Sequence, residues 1–87
     1  MDRLPATTEK RRSMRRDVYA PAVILFDEGW KRVPCVVRNV SDLGAKIEMT
    51  TNSHLPFSFD LMFEGRIVPC QLIWRNKVEA GVEFRDV

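Results

Sequence analysis

The sequence predicts an all-β fold, a six-stranded antiparallel β-barrel preceded by a flexible basic arm. Apolar residues recur at every second position after residue 20, which is the period of a strand with one buried face. Glycine, asparagine or aspartate separates the alternating stretches, as in tight turns. No stretch shows ten residues with the 3.6-residue period of a helix. A barrel is favoured over an open sheet because closure removes exposed strand edges.

The first three predicted strands are joined by two tight turns, at 27–29 and 42–44. Gly29 is expected to supply a positive φ in the first turn, and Gly44 is expected to take the left-handed position in the second. The expected inward residues are Ala22, Ile24 and Phe26, then Val33, Cys35 and Val37, then Ala45, Ile47 and Met49.

A polar loop at 51–56 leads to the last three predicted strands, which turn at Glu64-Gly65 and at Asn76-Lys77. The expected inward residues are Phe57, Phe59, Leu61 and Phe63, then Val68, Cys70, Leu72 and Trp74, then Val78, Ala80, Val82 and Phe84. Phenylalanines at these inward positions are expected to be core residues.

The charge is unevenly distributed along a chain of 87 residues, which is long enough for one small domain. Residues 1–16 hold six basic and two acidic residues, whereas residues 17–87 hold eight basic and ten acidic ones. We expect a flexible arm over 1–18 and a barrel over 19–87. A basic arm on a nearly neutral body predicts an anionic partner for the arm.

Several classes of function are disfavoured by what the sequence lacks. It has one histidine, no nucleophile elbow and no phosphate-binding glycine loop, so we do not expect an enzyme or a bound cofactor. Cys35 and Cys70 lack metal-binding spacing and are expected to be buried thiols, and His54 has no second ligand nearby. Without a signal peptide or a membrane-spanning apolar run, the protein is expected to be cytoplasmic.

An arginine cluster precedes the first predicted strand. It contains the pair Arg11 and Arg15 and, one residue later, the pair Arg12 and Arg16, each with three residues between its members. A solvated basic tail is one interpretation. Arginine rather than lysine favours a binding role instead, because the planar guanidinium binds phosphate or guanine edges in a bidentate manner.

A second pattern, VRNVSDLGAKIE, covers residues 37–48. Serine, aspartate and glycine are typical of a simple turn. Asn39 and Ser41, however, lie two residues apart on one side of a strand end, which directs an amide and a hydroxyl at a common point.

Together the two patterns resemble the PilZ domain, a small bacterial β-barrel that binds cyclic di-GMP. The family pattern is R-x3-R followed, after some twenty to thirty residues, by D/N-x-S-x-x-G. Arg11 and Arg15 match the first part, and Asn39, Ser41 and Gly44 match the second. The segments PCVVRNVSDLGAKIEM and CQLIWRNKVEAGVEF are similar to strands of the family, so the resemblance extends over about residues 9–85.

The doubled arginine pattern leaves the register open between Arg11/Arg15 and Arg12/Arg16. Family members commonly have a proline about six residues after the second arginine, and Pro21 fits Arg15. The resemblance therefore implies ligand contacts from Arg11 and Arg15, with Arg12 and Arg16 as the alternative pair.

Two further features depart from the common family pattern. Asn39 replaces the more frequent aspartate, so the charge that would face guanine donors is lost. Many PilZ domains end in a helix that packs on the barrel, and that helix is expected to be absent here because the sequence stops at Val87.

The resemblance implies a second-messenger receptor in which the arginine arm folds over cyclic di-GMP and the ordered arm offers a new surface to a protein target. Stand-alone family members act on motility, exopolysaccharide synthesis or virulence. Two alternatives remain: a small barrel that binds single-stranded nucleic acid, which the acidic body argues against, and a degenerate PilZ adaptor that binds only protein.

Overall fold

The computed structural model describes residues 15–51 and 53–85, and every regular element in them is a strand. The strands are β1 (Arg16–Phe26), β2 (Lys31–Val40), β3 (Gly44–Met49), β4 (Ser58–Phe63), β5 (Arg66–Arg75) and β6 (Glu79–Phe84). The predicted all-β class with six strands is confirmed. No helix in the described residues is long and apolar enough to cross a membrane.

The strands form a closed antiparallel barrel in the order β1-β2-β3-β6-β5-β4. Closure depends on β1, which pairs with β2 along its length and with β4 from Ala22 to Leu25. The ladder shifts register at three places: between Asp17 and Ala20 in β1, between Val37 and Asn39 in β2, and between Leu72 and Trp74 in β5.

Most of the predicted inward residues form the core. Ile24, Val37, Ile47, Leu61 and Cys70 are completely buried, and no charged side chain of the described residues lies among them. Apolar burial of this kind is the main term that stabilises so small a domain. Cys35 is also buried, as predicted, and neither cysteine is in a disulfide among the described residues.

Three predicted inward positions are wrong. Phe57 is 63% exposed because β4 begins only at Ser58, so Phe57 precedes the ladder. Trp74 is 44% exposed because it follows the register shift in β5, and Val78 is 48% exposed because it lies in the turn before β6. A two-residue period fails wherever the ladder slips or stops.

The turns at 27–29 and 64–65 have the expected left-handed residues. Gly29 has a φ of 90° and Gly65 a φ of 76°, with Asp27, Glu28 and Glu64 also positive. Gly44 is different: it is the first residue of β3 and is not among the described residues with positive φ. The expectation of a left-handed Gly44 is therefore wrong.

The first strand begins at Arg16, inside the stretch predicted as the arm. Arg16 pairs with Val40 and Asp17 with Asn39. Backbone pairing does not require apolar side chains, so this polar start of β1 left no alternation to detect. The rest of the predicted flexible arm, residues 1–14, lies outside the described residues.

Three prolines lie within strands although proline cannot donate a ladder hydrogen bond. Each proline comes one residue before the first paired residue of one ladder. Pro21 precedes Ala22 in the β1–β4 ladder, Pro34 precedes Cys35 in the β2–β3 ladder, and Pro69 precedes Cys70 in the β5–β6 ladder. Each pairs with the neighbour on its other side. Pro21 and Pro34 therefore stand where no amide hydrogen is needed, and the Pro69 carbonyl still accepts the Arg85 amide at 2.8 Å.

Candidate functional site

The two sequence patterns meet at one end of the barrel. Arg15 directly precedes β1, and its Nη1 donates a hydrogen bond of 2.9 Å to Oδ1 of Asn39, 24 residues further along the chain. The contact follows from the backbone, because Asp17, two residues after Arg15, pairs with Asn39 in the β1–β2 ladder. Arg11 and Arg12 lie outside the described residues.

The predicted Ser41 does two things at the turn after β2. Its backbone amide donates to the Gly44 carbonyl at 2.8 Å, and its Oγ accepts the Leu43 amide hydrogen at 3.2 Å. The hydroxyl therefore fixes the turn locally, as serine does in an ST turn. These bonds support the turn interpretation of Ser41, and its role in ligand binding stays a prediction.

Gly44 is needed for close approach between β3 and β6. A Cβ at this position would collide with the carbonyl oxygen of Val82 and would lie 3.2 Å from the Cα of Glu83. The obstructing atoms are backbone, so they cannot rotate away. Gly44 thereby lets the turn after β2 lie against β6, where the Phe84 amide also bonds the Leu43 carbonyl at 2.8 Å.

A groove of about 390 Å³ opens between this turn and the β5–β6 ladder. Arg15, Ser41 and Gly44 line it on one side. The remaining lining residues are Leu43, Ile73, Trp74, Gly81, Val82 and Glu83. Arg15 is the only cation among these described lining residues, and Glu83 is the only acid.

Trp74 lines the groove, although its place in the alternation predicts a core residue. Its indole lies directly over Gly81, its partner in the ladder, where a Cβ would collide with the ring. The indole therefore lies against the sheet as a partly exposed apolar surface in the groove. The signal was the glycine opposite the tryptophan, which is visible only when the shifted register is known.

Arg16 belongs to a different environment. It lines a second groove of about 380 Å³ together with Ser41, Asp42, Glu64 and Arg66. Ser41 lines both grooves, whereas each of the two alternative arginines lines only one of them. Of the two, Arg15 is the one that contacts Asn39.

Nearby charges on the barrel wall are paired with one another. Arg38 contacts Glu48 at 2.5 Å and lies 5.2 Å from the centre of the Tyr19 ring, and Lys46 lies 3.7 Å from Glu79. These exposed pairs contribute little stability. They do, however, engage two neighbouring cations in ion pairs, whereas Arg15 lies at the groove and bonds the neutral Asn39.

No group of three potential metal ligands occurs in the described part of the chain. The predicted lone His54 lines a separate hollow of about 430 Å³ with Phe26, Asp27 and Lys31.

Comparison with known proteins places the chain in a family. A family model described as PilZ domain matches residues 9–87. Among solved structures, the crystal structure of the PilZ domain of CeSA from a cellulose-synthesizing bacterium superposes with a TM-score of 0.64 at 19% identity. The match covers 83% of this chain and 80% of that one, and at this identity it shows the common fold. A search of curated proteins found no significant match. The family model extends over most of the sequence, from the arginine cluster through the last strand, and the chain belongs to the PilZ domain family.

Proposed function

We propose that the protein is a bacterial, cytoplasmic receptor for cyclic di-GMP, with the groove beside Arg15 as the binding site. The observation that carries the proposal is the bond between Arg15 and Asn39, which brings the two family patterns together at the groove. Family membership supplies the class of ligand. The geometry supports Arg11/Arg15 rather than Arg12/Arg16 as the register, since Arg16 faces the other groove.

The residues present suit the chemistry of a guanine dinucleotide. A guanidinium such as that of Arg15 can donate two hydrogen bonds to O6 and N7 of guanine, or bind a phosphodiester oxygen. Asn39 can accept from guanine N1–H or N2–H through its carbonyl oxygen, which Arg15 now occupies. Trp74 offers an aromatic surface for stacking a base. The ligand would thus replace the Arg15–Asn39 contact with contacts to itself.

We propose further that binding draws the arginine arm onto the barrel and creates a surface for a protein target. Immobilising backbone costs about 1–2 kcal/mol per residue, so several charge-assisted bonds from the arm must offset that cost. Hydrogen exchange tests this step: cyclic di-GMP should protect the amides of residues 9–15. Single-stranded RNA of similar charge should protect them weakly and only at low salt. Equal protection by RNA would favour the nucleic-acid alternative.

Calorimetric titration with cyclic di-GMP tests the proposed site. We expect Arg15→Ala to weaken binding by about 1–3 kcal/mol, the value of one bidentate arginine–guanine contact. Arg16→Ala is the matched control, since it removes the same charge from the neighbouring position and should change binding by less than half as much. Cyclic di-AMP should bind poorly because adenine has a donor where guanine has O6.

The outcomes separate the alternatives. If Arg16→Ala lowered the affinity for cyclic di-GMP and Arg15→Ala did not, the arginine pair of the motif would be Arg12 and Arg16. No binding by the intact protein would favour the adaptor that docks only on proteins. In that case exopolysaccharide, motility or virulence machinery would remain the expected targets by family membership.

A further inference from the structure

The outer wall of the barrel around β1 is apolar. One row of direct cross-strand partners runs across β5, β4, β1 and β2. It consists of Ile67, Met62, Val23 and Pro34. All four point outwards, because their chain neighbours Ile24, Val33, Leu61 and Val68 are buried. Ile67 is 60% exposed. Rows of outward apolar side chains on a water-facing wall are unusual unless another surface covers them.

The adjacent row on the same wall carries two opposite charges. Leu25 of β1 pairs with Asp60 of β4 on one side and with Arg32 of β2 on the other. Asp60 and Arg32 are both exposed, and neither forms an ion pair within the described residues. They are about 10 Å apart, since each strand spacing is about 4.8 Å. We name the six outward residues Val23, Leu25, Arg32, Pro34, Asp60 and Met62 the β1 face.

The wall formed by β3 and β6 has the opposite character. Two of its outward charges, Lys46 and Glu79, lie 3.7 Å apart, and Glu48 pairs with Arg38 of β2. Most charges of that wall are therefore paired, and only the exposed Glu83 forms no ion pair within the described residues. The β1 face instead presents an acid and a base, separated by leucine, with no described partner for either.

We propose that the β1 face binds the β1 face of a second copy of this chain. When two such faces meet across a two-fold axis that runs along β1, the β4 position of one copy lies opposite the β2 position of the other. Asp60 then faces Arg32 of the second copy, twice by symmetry, and Leu25 and Val23 face themselves. An isologous contact requires this kind of self-complementary patch. The strands of the two walls would be nearly aligned, which is a common geometry for sheet-on-sheet packing.

The surface beside Asp60 has room for an incoming side chain. A shallow depression of about 250 Å³ is lined in part by Leu25, Phe59, Asp60 and Pro69. Arg85 and Ser58 also line this depression and bond each other at 3.5 Å, and neither forms an ion pair with Asp60. Three strands of a convex barrel offer less area than the roughly 800 Å² per partner of a standard interface, so the dimer should be weak and concentration-dependent.

The proposed contact leaves the groove beside Arg15 open. That groove lies between the turn after β2 and the β5–β6 ladder, and none of its lining residues belongs to the β1 face. Because the axis runs along β1, both copies of β1 point the same way. The two β1 strands would then begin, at Arg16, at the same end of the dimer, and the dimer would form without cyclic di-GMP.

Sedimentation velocity of the full chain over about a hundredfold range of concentration tests the dimer. The weight-average mass should rise above the monomer mass of 10.1 kDa as concentration increases. Asp60→Arg and Arg32→Asp should each weaken self-association by more than about tenfold, because each places like charges opposite one another. Lys77→Asp is the matched control, since it reverses an exposed charge in the turn before β6 and should leave association unchanged.

Mixing D60R with R32D is the decisive measurement. The two variants carry complementary β1 faces, so the mixture should associate although neither variant does so alone, and D60R/R32D in one chain should self-associate again. Thermal melting before mixing shows that each variant is folded. A protein that stays monomeric throughout the series would overturn the proposal. So would association that neither substitution alters, or two folded variants that do not associate when mixed.

Discussion

Gly44→Ala should strongly destabilise the barrel through steric overlap between β3 and β6. The added methyl would overlap the Val82 carbonyl and approach the Glu83 Cα, and both are backbone atoms of the paired strand. Inserting a methyl group into a packed site costs about 1–3 kcal/mol, and the upper half of that range applies because no side chain can rotate away. A loss of about 2–3 kcal/mol in a domain of this size lowers Tm by roughly 10–20 °C.

Two other glycines provide matched controls. The three atoms nearest an added Gly81 Cβ all belong to the Trp74 indole, a side chain that can rotate away, so Gly81→Ala should cost less stability while it disrupts the groove. An added Cβ at Gly65 has no atom within 4 Å, so Gly65→Ala should lose stability only through the strain of a φ of 76°. Thermal and urea unfolding of the three variants should rank Gly44→Ala as the least stable.

Gly44→Asn separates close approach from left-handed geometry. Asparagine tolerates a positive φ, so it would be milder than alanine if Gly44 were a left-handed turn residue. If the close approach of β3 to β6 is what requires glycine, the larger asparagine side chain should destabilise the protein more than alanine does. A milder effect of Gly44→Asn than of Gly44→Ala would refute the steric argument.

The remaining predictions concern the groove and the core. Trp74→Ala should weaken cyclic di-GMP binding by about 1–3 kcal/mol, the value of stacking one base, and calorimetry should show this with a small change in unliganded Tm. Cys35 and Cys70 should react slowly with thiol reagents in the native protein and rapidly in denaturant, since both are buried. Burial raises the pKa of the Cys35 thiol from 9.0 to about 12. Between these values the unfolded chain binds fewer protons than the native one, so stability should fall by up to about 1.4 kcal/mol per pH unit, with a shallower slope in Cys35→Ala.

The regular parts of the barrel could be predicted from the alternation of apolar residues alone. In β3, Ala45, Ile47 and Met49 are all buried, because the β3–β6 ladder has no shift and the extra residue of the β2–β3 shift lies in β2. Phe57 and Trp74 were misassigned because alternation gives the side-chain direction only while the register holds. Where a strand begins or slips is set by pairing with distant strands, and a local pattern does not contain that information.

The candidate site was only partly predictable for the same reason. Family resemblance identified Arg15 and Asn39, and the structure places these two side chains in contact. The resemblance did not indicate that the Ser41 hydroxyl would accept a hydrogen bond within its own turn, or that Gly44 would lie against a backbone carbonyl of β6. Those roles depend on which backbone lies beside the turn, and that follows from the closure of the barrel.

The irregular pairings of the barrel are concentrated around the groove. The β1–β4, β3–β6 and β4–β5 ladders run without a register shift, and the other three ladders carry one shift each. Two of these shifts flank the Arg15–Asn39 contact, near Asp17 and at Asn39, and the third precedes Trp74.

A register shift turns a side chain away from the direction that regular alternation would give it. Regular pairing would place Trp74 in the core, and the shift instead places it over Gly81 in the groove. A register shift also bends and twists a strand, as closure of a barrel requires, but closure alone does not require the shifts to lie beside one groove. Their occurrence on both sides of one groove is therefore an argument, independent of family membership, that this end of the barrel is shaped for binding.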